Sequence, residues 1–385
     1  MMNIGIISHL YPNTYSPAKG TFIRNQYLEI SSRLQTHMLV PSVYAIPLTR
    51  KWQETHAPFI SEREANRVRY FSIPHAPLPH ITKRTISNAI LRFLHKKKFD
   101  LIHFHWLFPD GLAIPAVKNL NIPTVLTIHG SDWYNTKNRP VLKKLMHESL
   151  TKVDAILTVG NKLKNDIIFD FPELEHKIFV SFNLVDFKKF QPPESRSESL
   201  NKLNWNFEKK HVLCVANINP EKGIDILIKA VKKLNRNDFI LHIIGNIPNI
   251  RYSREVLLEI EKSMFVELHS PVSHDRIVDY FQGCDLMVLP SRREGFGLSL
   301  AEAIACGKPV ISTKSGGPED IVTRENGFLV DVNAPDQIAE KMESILSGSI
   351  SFHSEQIRES IREKFHSDRI IDQIINIYEE IIRPF

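Results

Sequence analysis

Only three cysteines stand among 385 residues, and none is spaced as a CxxC pair or a zinc-ligand set. A disulfide framework and a zinc ribbon are therefore excluded. Cys214 and Cys284 lie in apolar strand-like runs and Cys306 follows Glu-Ala-Ile-Ala, so all three read as buried, unreactive thiols. Long apolar runs are missing too; nothing approaches the roughly 18 residues that a membrane span requires. The opening Met1-Met2-Asn3-Ile4-Gly5-Ile6-Ile7-Ser8 has no basic segment before its apolar run and no small-residue cleavage pattern after it. It reads as a first β-strand and not as a signal peptide, which predicts a cytoplasmic chain. Repeats and low-complexity tracts are absent. So are helix-turn-helix, zinc-finger and aromatic-basic RNA motifs, and no nucleic acid is expected as a partner.

What is present is an ordinary globular composition, 42% hydrophobic and 24% charged, in a chain long enough to favour two cores over one. Charge is unevenly placed: residues 1–190 carry a net +11 and the remainder −5. A basic first half points to an anionic partner for that half.

Short β-branched runs alternate with longer amphipathic stretches. Strands are predicted at Asn3–Ser8, Met38–Pro41, Leu101–His105, Thr124–Ile128, Ala155–Val159 and Ile178–Ser181. A second series follows at His211–Ala216, Phe239–Ile244, Phe265–Leu268, Leu286–Leu289 and Pro309–Ser312, with helical patterns at Ile224–Asn235 and Asp275–Gln282. Such alternation predicts parallel sheets covered by helices on both faces. The polar, turn-rich segment Gln191–Lys210 reads as the connection between domains. The expected architecture is α/β, with two Rossmann-like doubly wound domains, 1–190 and 191–367, facing across a cleft. A C-terminal helix at about 368–385 is expected to pack back on the first. Ligands of such sheets bind at the carboxyl ends of the strands.

The chemistry concentrates in Asp285-Leu-Met-Val-Leu-Pro-Ser291 followed by Arg292-Arg293-Glu294-Gly295-Phe296-Gly297-Leu298-Ser299-Leu300-Ala301-Glu302. A buried strand, a loop with two glycines and a helix start would aim free N–H groups and the positive end of the helix dipole at an anion. Glu294 and Glu302, beside that anion site, are suited to accept hydrogen bonds from sugar and ribose hydroxyls. A tight strand–helix turn with a capping carboxylate would read the same way. A second strand–loop–helix, Val212 to Ala230, carries Asn217-Ile-Asn-Pro-Glu-Lys222-Gly223, where Lys222 can neutralise a diphosphate.

With Ser315-Gly316-Gly317-Pro318-Glu319 and Glu325-Asn326-Gly327-Phe328-Leu329-Val330, these segments resemble the second domain of the family-4 glycosyltransferases, which have a GT-B fold and retain anomeric configuration. Glu294 and Glu302 match that family's Glu, seven residues, Glu spacing within Glu-Gly-Phe-Gly-Leu. The first half is similar more loosely, through His103-Phe-His105-Trp106, Pro109-Asp110-Gly111, Thr127-Ile-His129-Gly130-Ser131-Asp132 and Asn183-Leu184-Val185-Asp186. The resemblance implies that Glu294 binds the transferred sugar, Glu302 the ribose, and Lys222 with the amides of Gly295, Phe296, Gly297 and Leu298 the diphosphate. By the same token His129 lines the donor-sugar side, the loop through Val272 and His274 faces the base, and Gly20 approaches the phosphates or the acceptor. Asn217 replaces the arginine usual beside the lysine, leaving the phosphate site one cation short.

The expected reaction is retaining transfer from a nucleoside-diphosphate sugar, most simply a UDP-sugar with GDP-mannose next, to a glycan or lipid-linked acceptor in cell-surface polysaccharide or glycolipid synthesis. Attack from the leaving-group face is favoured over a Glu294 nucleophile. A catalytically silent nucleotide-sugar binder and a sugar-nucleotide epimerase remain as alternatives. With no Asp-x-Asp pair and no His/Cys cluster in the sequence, no metal or other cofactor is expected. His103 and His105 alternate on one strand face and read as hydrogen-bonded structural residues. The basic amphipathic stretch Ile81–Lys98 reads either as a core-facing helix with a solvated basic side or, through Lys83–Lys98, as a peripheral contact with an anionic membrane.

Overall fold

A computed structural model describes residues 2–44, 49–59, 65–72, 78–234 and 236–383. The chain divides into two compact units, Met1–Leu184 with Ser367–Phe385, and Val185–His366.

The first unit is built on seven parallel strands: β1 (Asn3–Ile7), β2 (Gln35–Val43), β3 (Ala65–Tyr70), β4 (Leu101–His105), β5 (Thr124–Ile128), β6 (Ala155–Thr158) and β7 (Ile178–Val180), in the order β3-β2-β1-β4-β5-β6-β7. The central strands β4, β5 and β6 are buried throughout, as both-faces-covered parallel strands must be. The C-terminal helix Ser367–Ile382 lays Ile370, Ile371, Ile374, Ile377 and Tyr378 into the core of this unit. Arg33 clamps its first turns through Asp368 and Asp372, and Gln373 Nε2 donates to the Val180 carbonyl at 2.8 Å.

The second unit has six parallel strands: β8 (Lys210–Val215), β9 (Phe239–Ile244), β10 (Val266–His269), β11 (Leu286–Leu289), β12 (Val310–Thr313) and β13 (Gly327–Val330), ordered β10-β9-β8-β11-β12-β13. In both sheets the order reverses beside the first strand, between β1 and β4 and between β8 and β11. That reversal opens a crevice at the carboxyl ends, where ligands of doubly wound sheets bind.

The structure departs from the sequence reading at three places. The division falls after Leu184 because the Arg358 guanidinium donates to the carbonyls of Phe187 and Phe190, at 2.6 Å each, and ties that segment to the second unit. The polar segment 191–210 is not an open connection throughout: Arg196–Leu203 is a helix, capped where Glu198 N–H donates to Ser195 Oγ at 3.2 Å, with Leu200 buried. The helix predicted over Ile224–Asn235 ends at Val231, and Asn235 lies outside the described residues, as do the last two of 368–385.

Candidate active site

In the second unit the glycine-rich turn is held by its neighbours. β11 ends at Leu289, and the helix Leu298–Ala305 starts after Gly297, whose φ of 97° makes it a left-handed N-cap. The first N–H groups of a helix have no intrahelical carbonyl to meet, so this end presents donors. Ser299 Oγ donates to the Val215 carbonyl at 3.3 Å, fixing the helix start against the end of β8. Glu294 N–H donates to the Ser315 carbonyl and Gly317 N–H to the Glu294 carbonyl, 2.9 Å each, so the two motif loops are knitted together. A Cβ on Gly317 would stand 2.2 Å from the Phe296 carbonyl oxygen, which makes glycine obligatory at that approach. Phe296 itself turns its ring into the core against Phe365 and can serve a ligand only through its backbone.

Glu294 is aimed by side chains. Its Oε2 accepts from Lys222 Nζ at 2.6 Å and from Ser291 Oγ at 3.1 Å, and it is mostly shielded from solvent. Lys222 closes the short turn Pro220–Lys222, whose cap is Asn219 Oδ1 accepting from Lys222 N–H at 3.1 Å. Gly223 follows with φ 64°, and a Cβ there would meet the Pro290 carbonyl at 2.1 Å. Lys222 and Glu294 therefore meet because two strand–helix turns are pressed together at the β8/β11 reversal.

Glu302, 7% exposed, lies one turn into the helix and faces His274, whose Nε2 is 3.4 Å from Oε1. Lys189 Nζ donates to His274 Nδ1 at 2.7 Å and to Asp275 at 2.6 Å, which leaves the His274 proton on Nε2, toward Glu302. Val272 sits half-buried in the turn just before. Asn217 is exposed, and its Oδ1 accepts from both the backbone and the side chain of Asn246 at 3.0 and 3.1 Å. It braces the ends of β8 and β9 and brings no charge. The neighbouring Arg292 is committed elsewhere, in a two-point pair with Asp225 at 2.9 and 2.7 Å.

In the first unit, Gly20 is the left-handed N-cap of the helix Thr21–Ser31, and a Cβ there would stand 2.7 Å from the Leu10 backbone. Three histidines form a ladder across β4 and β5. His103 bonds Tyr378 Oη at 2.6 Å and Thr127 Oγ1 at 2.7 Å, a structural role, while His105 Nδ1 lies 3.1 Å from His129 Nε2. Burial lowers all three, His105 to about 3, so each ring is neutral near pH 7. Asp132 accepts from the N–H groups of Leu107 and His129 and fixes the turn that carries His129; burial raises its carboxyl to about 6.

His129 Nδ1, Trp106 Nε1 and Asp110 Oδ1 are shielded from solvent and have no partner among the described residues. The Trp106 ring is 4.4 Å from His129 and 5.6 Å from His9, whose Nδ1 is 2.8 Å from Asp110 Oδ2. Trp106 and Asp110 entered the sequence reading only as parts of the first-half motifs, with no role, and His9 was not named. The apolar strand before Trp106 and the Pro-Asp-Gly turn were visible in it, but not their convergence. On the basic stretch, the helix is Pro79–Leu94 with Ile86, Ile90 and Leu94 inward. Lys83 is paired with Glu148 at 2.6 Å, while Lys96, Lys97 and Lys98 are exposed. Among the described residues no helix is long and apolar enough to cross a membrane.

The absence of a histidine cluster in the sequence does not survive folding. His242, Glu267 and His269, up to 27 residues apart, place one donor atom each within 4.8 Å of the others.

Comparison with known proteins bears on the family and the fold. The family described as "Glycosyl transferases group 1" matches residues 195–364, and "Glycosyltransferase Family 4" matches 41–189. An uncharacterized glycosyltransferase of Methanocaldococcus jannaschii is 30% identical over 320 residues, 79% of this chain and 84% of that protein. TuaC of Bacillus subtilis, named for teichuronic acid biosynthesis, is 27% identical over 361 residues, 88% of each chain. Among solved structures, HepE of Anabaena in complex with UDP and glucose superposes with a TM-score of 0.77 at 18% identity, covering 98% of this chain and all of that one.

Proposed function

The chain belongs to the family-4 glycosyltransferases, with the GT-B fold, and from that premise we propose that it transfers a sugar, with retention, from a UDP-sugar to a glycan or lipid-linked acceptor of the cell surface. The observation that carries the donor reading is the Lys222–Glu294 pair at the start of the helix Leu298–Ala305. It supplies an ammonium and helix N–H groups for a diphosphate and, beside them, a carboxylate for hydroxyls.

The leaving group is a diphosphate, and its developing charge is what the site must stabilise. On this reading Lys222 turns from Glu294 to the phosphate while the helix amides hold the other oxygens. Glu294 then orients the sugar through its hydroxyls, and Glu302, backed by His274, takes the ribose. The leaving phosphate accepts the acceptor's proton as the nucleophile enters from the same face. His129, neutral and with Nδ1 unpartnered, is assigned to a sugar hydroxyl. Uridine is favoured because HepE holds UDP on a similar fold, and a polysaccharide acceptor because TuaC is named for one. Transfer is proposed to need no metal; activity lost in EDTA and restored by magnesium or manganese would overturn that part.

A thermal-shift series with UDP, GDP, ADP and their sugars tests the donor. A ligand at a hundredfold excess over its Kd adds about 2.7 kcal/mol. The expected result is stabilisation by uridine nucleotides; preference for guanosine nucleotides moves the assignment to GDP-mannose, and no shift with any of them ends it. Binding without hydrolysis or transfer would identify a silent binder, and an epimerised donor an epimerase.

A further inference from the structure

On the outer edge of the second sheet, His242 lies on β9 opposite Glu267 on the edge strand β10, and His269 follows two residues on, so all three point to one face. His242 Nδ1 is 3.0 Å from His269 Nε2 and 3.3 Å from Glu267 Oε2, and the last two atoms are 3.8 Å apart. A point about 2.0 Å from all three atoms exists, the centre of the circle through a triangle of those sides. That is the distance at which imidazole nitrogen and carboxylate oxygen bind a zinc-type cation, about 2.0–2.2 Å.

The buried ring is set to offer a lone pair there. His211 Nε2–H donates to the Asn206 carbonyl at 2.9 Å, so its Nδ1 is an acceptor, and His242 must place its proton on Nε2 to meet it at 2.9 Å. His242 Nδ1 is thereby left as an acceptor facing a carboxylate. Without a cation, His269 Nε2–H meets that lone pair at 3.0 Å, with the Glu267 carboxylate 3.3 Å from it. A ligating histidine characteristically gives its other ring N–H to a fixed acceptor; here that acceptor is His211 Nδ1, itself fixed by the Asn206 carbonyl. Trp205 stacks on His242 at 3.8 Å and closes one wall, while Glu267, half-exposed, leaves an entry from solvent.

We propose that His242, Glu267 and His269 form a binding site for a divalent d-block cation of the zinc type, with water in the fourth position. When the ion enters, His269 moves its proton to Nδ1 and gives Nε2 to the metal. The ion fastens the short edge strand β10 to β9 at the root of the turn that carries Val272 and His274. Two imidazoles and one carboxylate favour zinc, cobalt or nickel over magnesium, so magnesium rescue of transfer would report on the donor and not on this site.

The test is titration of the chelator-stripped full chain with Co2+ and Zn2+, following the visible bands of four-coordinate cobalt and quenching of Trp205 fluorescence. One equivalent is expected to bind. Loss of even an outer partner of a metal ligand costs about 10–100-fold, so Glu267→Gln and His269→Ala are each expected to weaken binding at least tenfold. His147→Ala, which removes a surface histidine paired with Glu173 at 2.8 Å, should leave it unchanged. Glu267→Gln is a half-exposed near-isostere, so it tests the site in a folded protein. Absence of stoichiometric binding, or unaltered binding in both ligand variants, would overturn the site.

Discussion

Glu294 and Lys222 neutralise each other at 2.6 Å, and that mutual hold predicts opposite signatures for their removal. Glu294→Gln frees Lys222 for phosphate while taking the carboxylate from the sugar. Transfer is expected to fall by about 100-fold or more, on the scale of a lost transition-state contact, with UDP affinity unchanged or slightly tighter by calorimetry. Lys222→Ala removes a charge-assisted hydrogen bond of about 1.5–3 kcal/mol, so UDP binding should weaken about 10- to 100-fold. Transfer near the native rate in Glu294→Gln would sink its assignment to the sugar. At this scale the sequence was informative where chemistry sits in one segment: the spacing of Glu294 and Glu302 and the two glycines between them. It was silent on Lys189 behind His274, on Ser291 behind Glu294 and on the three-ligand cluster of the second sheet, because those contacts arise from strand register and loop meeting loop. The Asn217 substitution has a clearer meaning with the structure: its amide serves the β8–β9 corner, and Arg292 does not replace the missing cation because Asp225 holds it.

At the scale of elements, strands buried on both faces were legible, while of the four edge strands β7 and β10 were predicted and β3 and β13 were not. Leu101–His105, Thr124–Ile128, Phe239–Ile244 and Leu286–Leu289 fall where the apolar runs put them. β3, Ala-Asn-Arg-Val-Arg-Tyr, was missed because the part-buried Arg67 and Arg69 interrupt its apolar pattern, and β13 because it opens on glycine and is short. The turns between elements carry a prediction of their own. Gly223→Ala places a Cβ 2.1 Å from the Pro290 carbonyl at positive φ, whereas Gly348→Ala, also at positive φ, meets nothing within 4 Å. The first should cost about 2–3 kcal/mol or more in urea unfolding and loosen UDP, the second only about 1 kcal/mol. Equal costs would mean that the Gly223–Pro290 approach relaxes freely.

The β4–β5 histidine ladder predicts acid sensitivity. His105 stays neutral down to about 3 in the fold, while an unfolded histidine protonates below about 6.5. The unfolded chain therefore binds more protons across that window, and stability falls as pH drops, by about 1.4 kcal/mol per pH unit for each such group. His103 and His129 act in the same direction. Asp132, raised to about 6, acts in the opposite one, because the folded state takes up its proton first as pH falls toward the ordinary aspartate range. The expected net result is a lower Tm at pH 5 than at pH 7, with a shallower decline in His105→Gln. A decline equally steep in that variant would show that His105 is not held neutral.

For the whole molecule, the structural division sharpens the charge argument. Once the acidic C-terminal helix is counted with the first unit, that unit carries +8 and the second −2. The excess is smaller than the +11 of residues 1–190 because the C-terminal segment Ser367–Phe385 brings a net −2 and residues 185–190, net +1, belong to the second unit; Asp368 and Asp372 pair with Arg33. Lys83 is likewise occupied by Glu148, which moves the weight of any membrane contact to Lys96, Lys97 and Lys98 at the end of the helix Pro79–Leu94. Each lysine near an anionic bilayer contributes about 1 kcal/mol. The combined replacement of Lys96, Lys97 and Lys98 by glutamate should therefore lower co-sedimentation with phosphatidylserine vesicles at least tenfold, while Lys83→Glu lowers it little. Binding of the native chain should also weaken steeply between low and physiological salt, since exposed charges are screened over about 8–10 Å. Vesicle binding unaffected by the triple replacement would leave the basic end of that helix a solvated face and return the search for an anionic partner to a phosphorylated acceptor.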